Sequence, residues 1–79
     1  MDKIQKFLLS LSKAERSILS AILGDIRLWK IGKYDVKPLK GYKGFFRLRT
    51  GKIRIVFAQS GDMGVIINIG YRKDVYKNL

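Results

Sequence analysis

Seven basic side chains and no acidic one lie between Val36 and Gly61, and their spacing brings several of them onto one surface. Within this stretch, cations alternate with apolar residues from Phe46 to Phe57, and successive side chains of a β-strand point to opposite faces. Guanidinium and ammonium groups bind phosphate, so the spacing predicts a binding surface for a polyanion. The seven residues are Lys37, Lys40, Lys43, Arg47, Arg49, Lys52 and Arg54.

The residue types present restrict the catalysis that this chain can perform. It contains no His and no Cys, so the commonest general base, a thiolate nucleophile and the usual zinc ligands are absent. Any catalysis must use Lys, Arg, Tyr or carboxylates, and we expect neither a metal nor a cofactor. The absence of Cys also argues against a disulfide framework and favours a cytoplasmic protein.

Length and charge indicate one small domain, covering residues 1–79, that binds an anionic partner. The hydrophobic fraction of 47% is sufficient for folding, whereas 17 basic and 6 acidic residues give a net charge of +11. This charge favours nucleic acid first, an anionic membrane surface second and an acidic protein third. The basic residues lie on predicted strands instead of one amphipathic helix, so we do not expect membrane binding.

Two helices are predicted before residue 30. The spacing i, i+3, i+4, i+7 predicts a helix over about residues 2–10, with an apolar stripe of Ile4, Phe7, Leu8 and Leu11. Ser12 and Glu15 have the spacing of a capping box, which predicts the start of a second helix. Gly32 is predicted to end this helix or to lie in the next turn. Ala14 and Ala21 are expected to allow close approach to the first helix. The predicted core face of the second helix comprises Ile18, Leu19, Ile22, Leu23 and Ile26.

From Phe45 the apolar period changes to two, which predicts strands over about residues 45–50, 53–59 and 64–70. Gly51 and Gly61 are expected to supply positive φ in the turns between them. Residues 30–44 are interpreted as a connecting loop or an irregular edge strand. The predicted fold is therefore α+β, a helical hairpin packed on a three-stranded antiparallel sheet, with a short C-terminal turn or helix.

The alternation also assigns side chains to the two faces of the predicted sheet. The face against the helices would carry Phe46, Leu48, Ile53, Ile55 and Phe57. The opposite face would carry Arg47, Arg49 and Arg54 around an apolar floor of Val56, Ala58 and Ile66.

Three segments of the chain resemble the RelE/ParE superfamily of bacterial and archaeal toxins: Lys37-Pro38-Leu39-Lys40-Gly41, residues 46–57 and residues 69–76. The family usually opens with a β-strand, so the resemblance implies a RelE-like sheet without its usual first strand. It also implies a toxin that a cognate antitoxin neutralises. RelE-type members are ribosome-dependent mRNA endonucleases, in which the RNA 2′-hydroxyl attacks the adjacent phosphate without a metal.

The resemblance also implies roles for individual residues. Arg54 and Arg72 occupy the positions of the active-site arginines, which stabilise the phosphorane, and Tyr76 occupies that of a C-terminal tyrosine acting as general base. Two alternatives remain open at this point, a ParE-like inhibitor of DNA gyrase and a truncated, non-catalytic nucleic-acid-binding remnant. The residues expected to bind RNA are Lys37, Lys40, Lys43, Arg47, Arg49, Lys52 and Lys73.

Overall fold

The structure is a computed structural model that describes residues 3–72 and residue 75. Two helices precede a four-stranded antiparallel sheet with the strand order β1-β2-β3-β4. Neither of the two described helices is long and apolar enough to cross a membrane. The elements are α1 (Lys3–Leu9), α2 (Lys13–Arg27), β1 (Asp35–Pro38), β2 (Phe45–Thr50), β3 (Ile53–Ser60) and β4 (Met63–Tyr71).

The α+β class is confirmed, but the predicted count of three strands is wrong because residues 35–38 form a fourth. This segment pairs with β2, with Val36 opposite Leu48 and Pro38 opposite Phe46. It is a short edge strand that ends in proline, which lacks the N–H needed inside a sheet. The irregular edge strand left open for residues 30–44 is therefore present, and the count of three strands omitted it.

The capping box at the start of α2 is present as predicted. The Glu15 N–H donates to the Ser12 hydroxyl at 3.2 Å, and the Ser12 N–H donates to the Glu15 carboxylate at 3.4 Å. Arg16 then links α2 to the end of α1, since its guanidinium donates to the carbonyls of Leu8 at 3.1 Å and Leu11 at 3.2 Å. These carbonyls lie in the last turn of α1 and beyond its end, where backbone partners are incomplete, and the Leu8 carbonyl also accepts from the Leu11 N–H at 3.2 Å.

The buried stripe of α2 is narrower than predicted. Ile18 is 60% exposed, so its assignment to the core face is wrong, and Ala14 and Ala21 are also exposed. The side chains in the core follow the spacing i, i+3, i+4, i+7, and Ile18 lies one residue outside that stripe. The buried residues of α2 are Leu19, Ile22, Leu23 and Ile26.

Helix α2 stops at Arg27, and Gly32 lies in a turn beyond it, which is the second of the two positions predicted for this glycine. Trp29 adopts a positive φ of 59° directly after the helix. Its indole ring lies edge-on to Phe46 at 5.6 Å and to Phe57 at 5.7 Å. Aromatic packing against the sheet therefore stabilises a backbone conformation that non-glycine residues rarely adopt.

The sheet face against the helices carries the predicted residues Phe46, Leu48, Ile53, Ile55 and Phe57, with Ile69 added from β4. Ile66 belongs to this inner face as well, so its assignment to the outer floor is wrong. A β-bulge between Val56 and Phe57 pairs Val56 with Asn68 and Phe57 with Ile66. The extra residue on β4 changes which side chains point inward, as bulges do.

Asp25, Lys33 and Tyr34 form a polar cluster that links the end of α2 to the segment before β1. The Tyr34 hydroxyl donates to the Asp25 carboxylate at 2.5 Å, and the Lys33 ammonium lies 3.4 Å from the same oxygen. The hydrogen bond from Tyr34 lowers the pKa of Asp25, and the bond to Asp25 raises the pKa of Tyr34. The cluster therefore favours the pair in which Asp25 is ionised and Tyr34 is neutral.

Tyr34→Phe is expected to lower the melting temperature most at neutral pH. The Asp25 contribution is present above its ordinary pKa of 3.8 and is lost as pH falls through its lower folded-state pKa. The Tyr34 contribution is present below its ordinary pKa of 10.0 and is lost as pH rises through its higher folded-state pKa. Thermal unfolding of both proteins across this range measures the difference. A difference independent of pH would contradict the coupling.

Candidate nucleic-acid interface

The outer face of the sheet, turned away from the helices, carries two rows of residues that run across all four strands. Residues directly opposite one another in paired strands share a face. The strand pairing therefore aligns the cations of three different strands on this outer face. The rows are Lys37, Arg47, Val56 and Asn68, and beside them Asp35, Arg49, Arg54 and Gly70.

Arg54 lies on this outer face, as predicted, but only 7% of it is exposed. Its Nη1 donates to the carbonyl oxygens of Gly51 at 2.9 Å and Ile53 at 3.1 Å. Arginine keeps its charge when buried, so these two carbonyls compensate part of its lost hydration. Arg54 thus stabilises the β2–β3 turn and contributes positive charge from beneath the surface.

Arg47 is half-buried and lies directly opposite Val56 of β3, which is fully buried. Its Nη1 is shielded from solvent and has no hydrogen-bond partner within the described part of the chain. Leaving a buried donor without a partner costs about 1–3 kcal/mol. A guanidinium has five N–H donors, so the half-buried Arg47 side chain has others with which its exposed part can bind an anion.

Arg49 and Arg54 lie directly opposite each other across β2 and β3. Like charges at opposite positions destabilise a sheet. Asp35, opposite Arg49 on β1, offsets this repulsion at one edge. The remaining positive charge on this row would be neutralised by a bound polyanion.

The other predicted cations lie at the two ends of the sheet. Lys40 and Lys43 are exposed in the loop over residues 39–44, whereas Lys52 is exposed in the β2–β3 turn. The Arg72 N–H donates to the Lys52 carbonyl at 3.1 Å, which places exposed Arg72 beside that turn. At about 3.4 Å per residue, the two ends of β2 are roughly 17 Å apart. Lys73 and Tyr76 lie outside the described residues.

Asn68 holds Val75, which follows β4, against the outer face of the sheet. The sequence pattern did not predict this role. The Asn68 side-chain N–H donates to the carbonyl of Val75 at 2.7 Å, and Val75 is only 1% exposed. Val75 lies against Gly70, where an added Cβ would be 3.7 Å from the Val75 Cα. An asparagine inside the apolar run of β4 was the available signal, because a buried polar side chain needs a partner.

Asn68→Leu is expected to release this attachment and to destabilise the protein by about 1–3 kcal/mol, because the Val75 carbonyl loses its donor. Amide hydrogen exchange should accelerate at Val75 more than at Ile55 in the core. Gln59→Leu is the matched control, since Gln59 donates to the Gly61 carbonyl at 3.2 Å in an exposed position. Equal effects of the two substitutions would contradict the assigned role of Asn68.

Comparison with known proteins supports a relationship to RelE toxins. The chain is 36% identical over 44 residues to Toxin RelE3 of Methanocaldococcus jannaschii. The match covers 56% of this chain and 50% of the relative, so the chain spans about half the length of the curated relative it matches. No family model and no solved structure matches the chain. The predicted resemblance is thereby supported at the level of the RelE-like toxins.

Proposed function

We propose that this protein is the toxin of a toxin–antitoxin pair and that it cleaves mRNA on the ribosome. The observation that carries the proposal is the outer face, where Arg47, Arg49 and Arg54 come together and Arg72 lies at the adjoining turn. The similarity to Toxin RelE3 supports the assignment as a toxin. A cognate antitoxin is therefore the proposed protein partner, and mRNA on the ribosome is the proposed substrate.

The proposed reaction is an internal displacement at phosphorus. The RNA 2′-oxygen bonds to the adjacent phosphorus and loses its proton, while the bond from phosphorus to the 5′-oxygen breaks and that oxygen takes up a proton. A cyclic 2′,3′-phosphate and a 5′-hydroxyl result. The extra negative charge on phosphorus must be stabilised by fixed cations.

Arg72 is the arginine that we propose to contact the reacting phosphate, because it is exposed and adjoins Lys52. Arg54 would act from below, since its Nη1 is already bonded to two carbonyls of the turn. Tyr76 is proposed as the base for the 2′-hydroxyl. Tyr76 lies outside the described residues, and its assignment rests on the resemblance of residues 69–76 to the RelE/ParE superfamily.

The remaining cations are proposed to bind the backbones of ribosomal RNA and the message. Lys37, Lys40, Lys43 and Arg49 are exposed, and they extend the basic surface from the outer face to one end of the sheet. Contacts of this kind position a nucleic acid without reading its sequence, and they weaken as the salt concentration rises, because the counterions that the protein releases gain less free energy in a more concentrated solution. Ribosome binding should therefore fall steeply with ionic strength.

The decisive experiment expresses the chain from a tightly controlled promoter and maps the 5′ ends of mRNA on stalled ribosomes. Cuts at fixed positions within codons, bearing 5′-hydroxyl ends, are the expected result. DNA damage without such cuts would instead indicate a gyrase inhibitor. Growth without arrest or cuts would indicate a binding domain that has no nuclease activity. Either of these two results overturns the proposal.

A further inference from the structure

A cleft of about 250 Å³ lies where α2 meets the β2–β3 turn and the end of β4. It is separate from the outer face, because Ile53 and Tyr71 on its wall belong to the inner-face register. Lys52 lines it as well, and Arg72 follows Tyr71 and bonds to the Lys52 carbonyl. The cleft therefore opens beside the cations of the turn.

Two large apolar side chains of this cleft are exposed to solvent, Ile18 by 60% and Tyr71 by 46%. The Tyr71 ring is supported by Phe7, whose ring meets it edge-on with centroids 5.2 Å apart. An exposed and supported aromatic ring next to cations is the arrangement on which unpaired bases stack. Both the apolar wall and the neighbouring charge thus fit a nucleotide.

Glu15 is the acidic residue that lines this cleft. Its negative charge would repel a polyanion unless the ligand donates a hydrogen bond to it. Its Oε1 bonds to Ser12, and within residues 3–72 and 75 its Oε2 makes no hydrogen bond. A free carboxylate oxygen accepts from the amino group of cytosine, whereas uracil has a carbonyl at the same position. Glu15 thus supplies a means of distinguishing these two bases.

We propose that this cleft binds one unpaired RNA base bearing an amino group, with cytosine preferred over uracil. The base would stack on Tyr71 beside Ile18, donate its amino hydrogen to Glu15 and place its phosphate near Lys52 and Arg72. The choice of RNA as the class of ligand rests on the proposed function. Binding in this cleft extends that function by giving the protein a preference for one nucleotide next to the phosphate-binding cations.

The test titrates the full chain with cytidine 5′-monophosphate and uridine 5′-monophosphate. The measured signals are the NMR resonances of the Ile18 methyl groups and the Tyr71 ring. Cytidine monophosphate should shift both signals and bind about tenfold more tightly than uridine monophosphate, since a hydrogen bond to a charged group is strong. This readout requires neither ribosomes nor cleavage, so it remains informative if the mRNA experiment fails.

Glu15→Gln retains the capping box, because glutamine also serves at that position, and it should abolish the preference for cytidine. Tyr71→Leu should weaken binding of both nucleotides by about tenfold through lost stacking. Leu28→Ala is the control, since Leu28 is 59% exposed and does not line the cleft. Its affinities should stay unchanged.

Three outcomes would overturn the proposal. The first is equal affinity for the two nucleotides in the unaltered protein. The second is a preference for cytidine that survives Glu15→Gln. The third is a set of shifts confined to outer-face residues such as Arg47 and Arg49, with Ile18 and Tyr71 unaffected. The third result would leave RNA binding by the outer face intact and would exclude only the cleft.

Discussion

Arg72→Ala is expected to reduce mRNA cleavage and translation arrest by about 10²- to 10³-fold, the usual loss when one fixed donor to a developing oxyanion is removed. The Arg72 side chain is exposed, so its truncation should leave the fold intact. Cleavage of a ribosome-bound message in single turnover measures the effect. Thermal unfolding of the same preparations verifies that both proteins are folded.

Arg27→Ala is the matched control for this experiment, because Arg27 is an exposed arginine on α2, away from the outer face. It removes the same charge and should leave cleavage nearly unchanged. Arg54→Ala is a poorer test, since the loss of its bonds to Gly51 and Ile53 would disturb the turn as well. Equal activity of Arg72→Ala and Arg27→Ala would refute the catalytic role of Arg72.

Gly64→Ala should be among the most damaging single substitutions for stability, with a loss of about 3 kcal/mol. A Cβ at Gly64 would overlap the carbonyl oxygen of Ile26 and lie 3.0 Å from its carbonyl carbon. These are backbone atoms, so relief requires that the end of α2 move away from β4. In a domain of this size the melting temperature should fall by more than about 10 °C.

Gly24→Ala, a substitution within α2, is expected to have the opposite effect on stability. Gly24 lies within α2 and has nothing within 4 Å of an added Cβ. Replacing a helical glycine by alanine usually stabilises by about 0.5–1 kcal/mol. Urea unfolding of both variants measures the two free energies. A stability loss at Gly64 no greater than that at Gly24 would contradict the close approach of α2 to β4.

The parts of the fold that the sequence predicted are those with short-range causes. Ser12 and Glu15 are three residues apart, so the capping box follows from local hydrogen bonding. Gly51 and Gly61 have positive φ, of 56° and 61°, as two-residue hairpin turns require. The conformation of Trp29 depends instead on rings far away in the sequence, and local patterns do not contain that information.

The candidate site likewise has features that the sequence predicted and features that it did not. Alternation placed Arg47, Arg49 and Arg54 on one face, which the strand register confirms. It did not distinguish exposed Arg49 from buried Arg54, because burial depends on how the turn and neighbouring segments cover each position. Nor did it foresee Asn68, whose partner is reached only when the chain folds back over Gly70.

Arg49 and Arg54 oppose each other across two strands, and within residues 3–72 and 75 the Arg47 Nη1 has no hydrogen-bond partner, so binding of an anion to these arginines is coupled to the free energy of folding. A polyanion that binds these arginines in the folded chain more tightly than it binds the unfolded chain raises the stability of the protein by mass action. An empty molecule therefore unfolds more often than an occupied one. In a cell, proteases that attack unfolded chains would remove idle copies first, so the lifetime of the protein would follow its use.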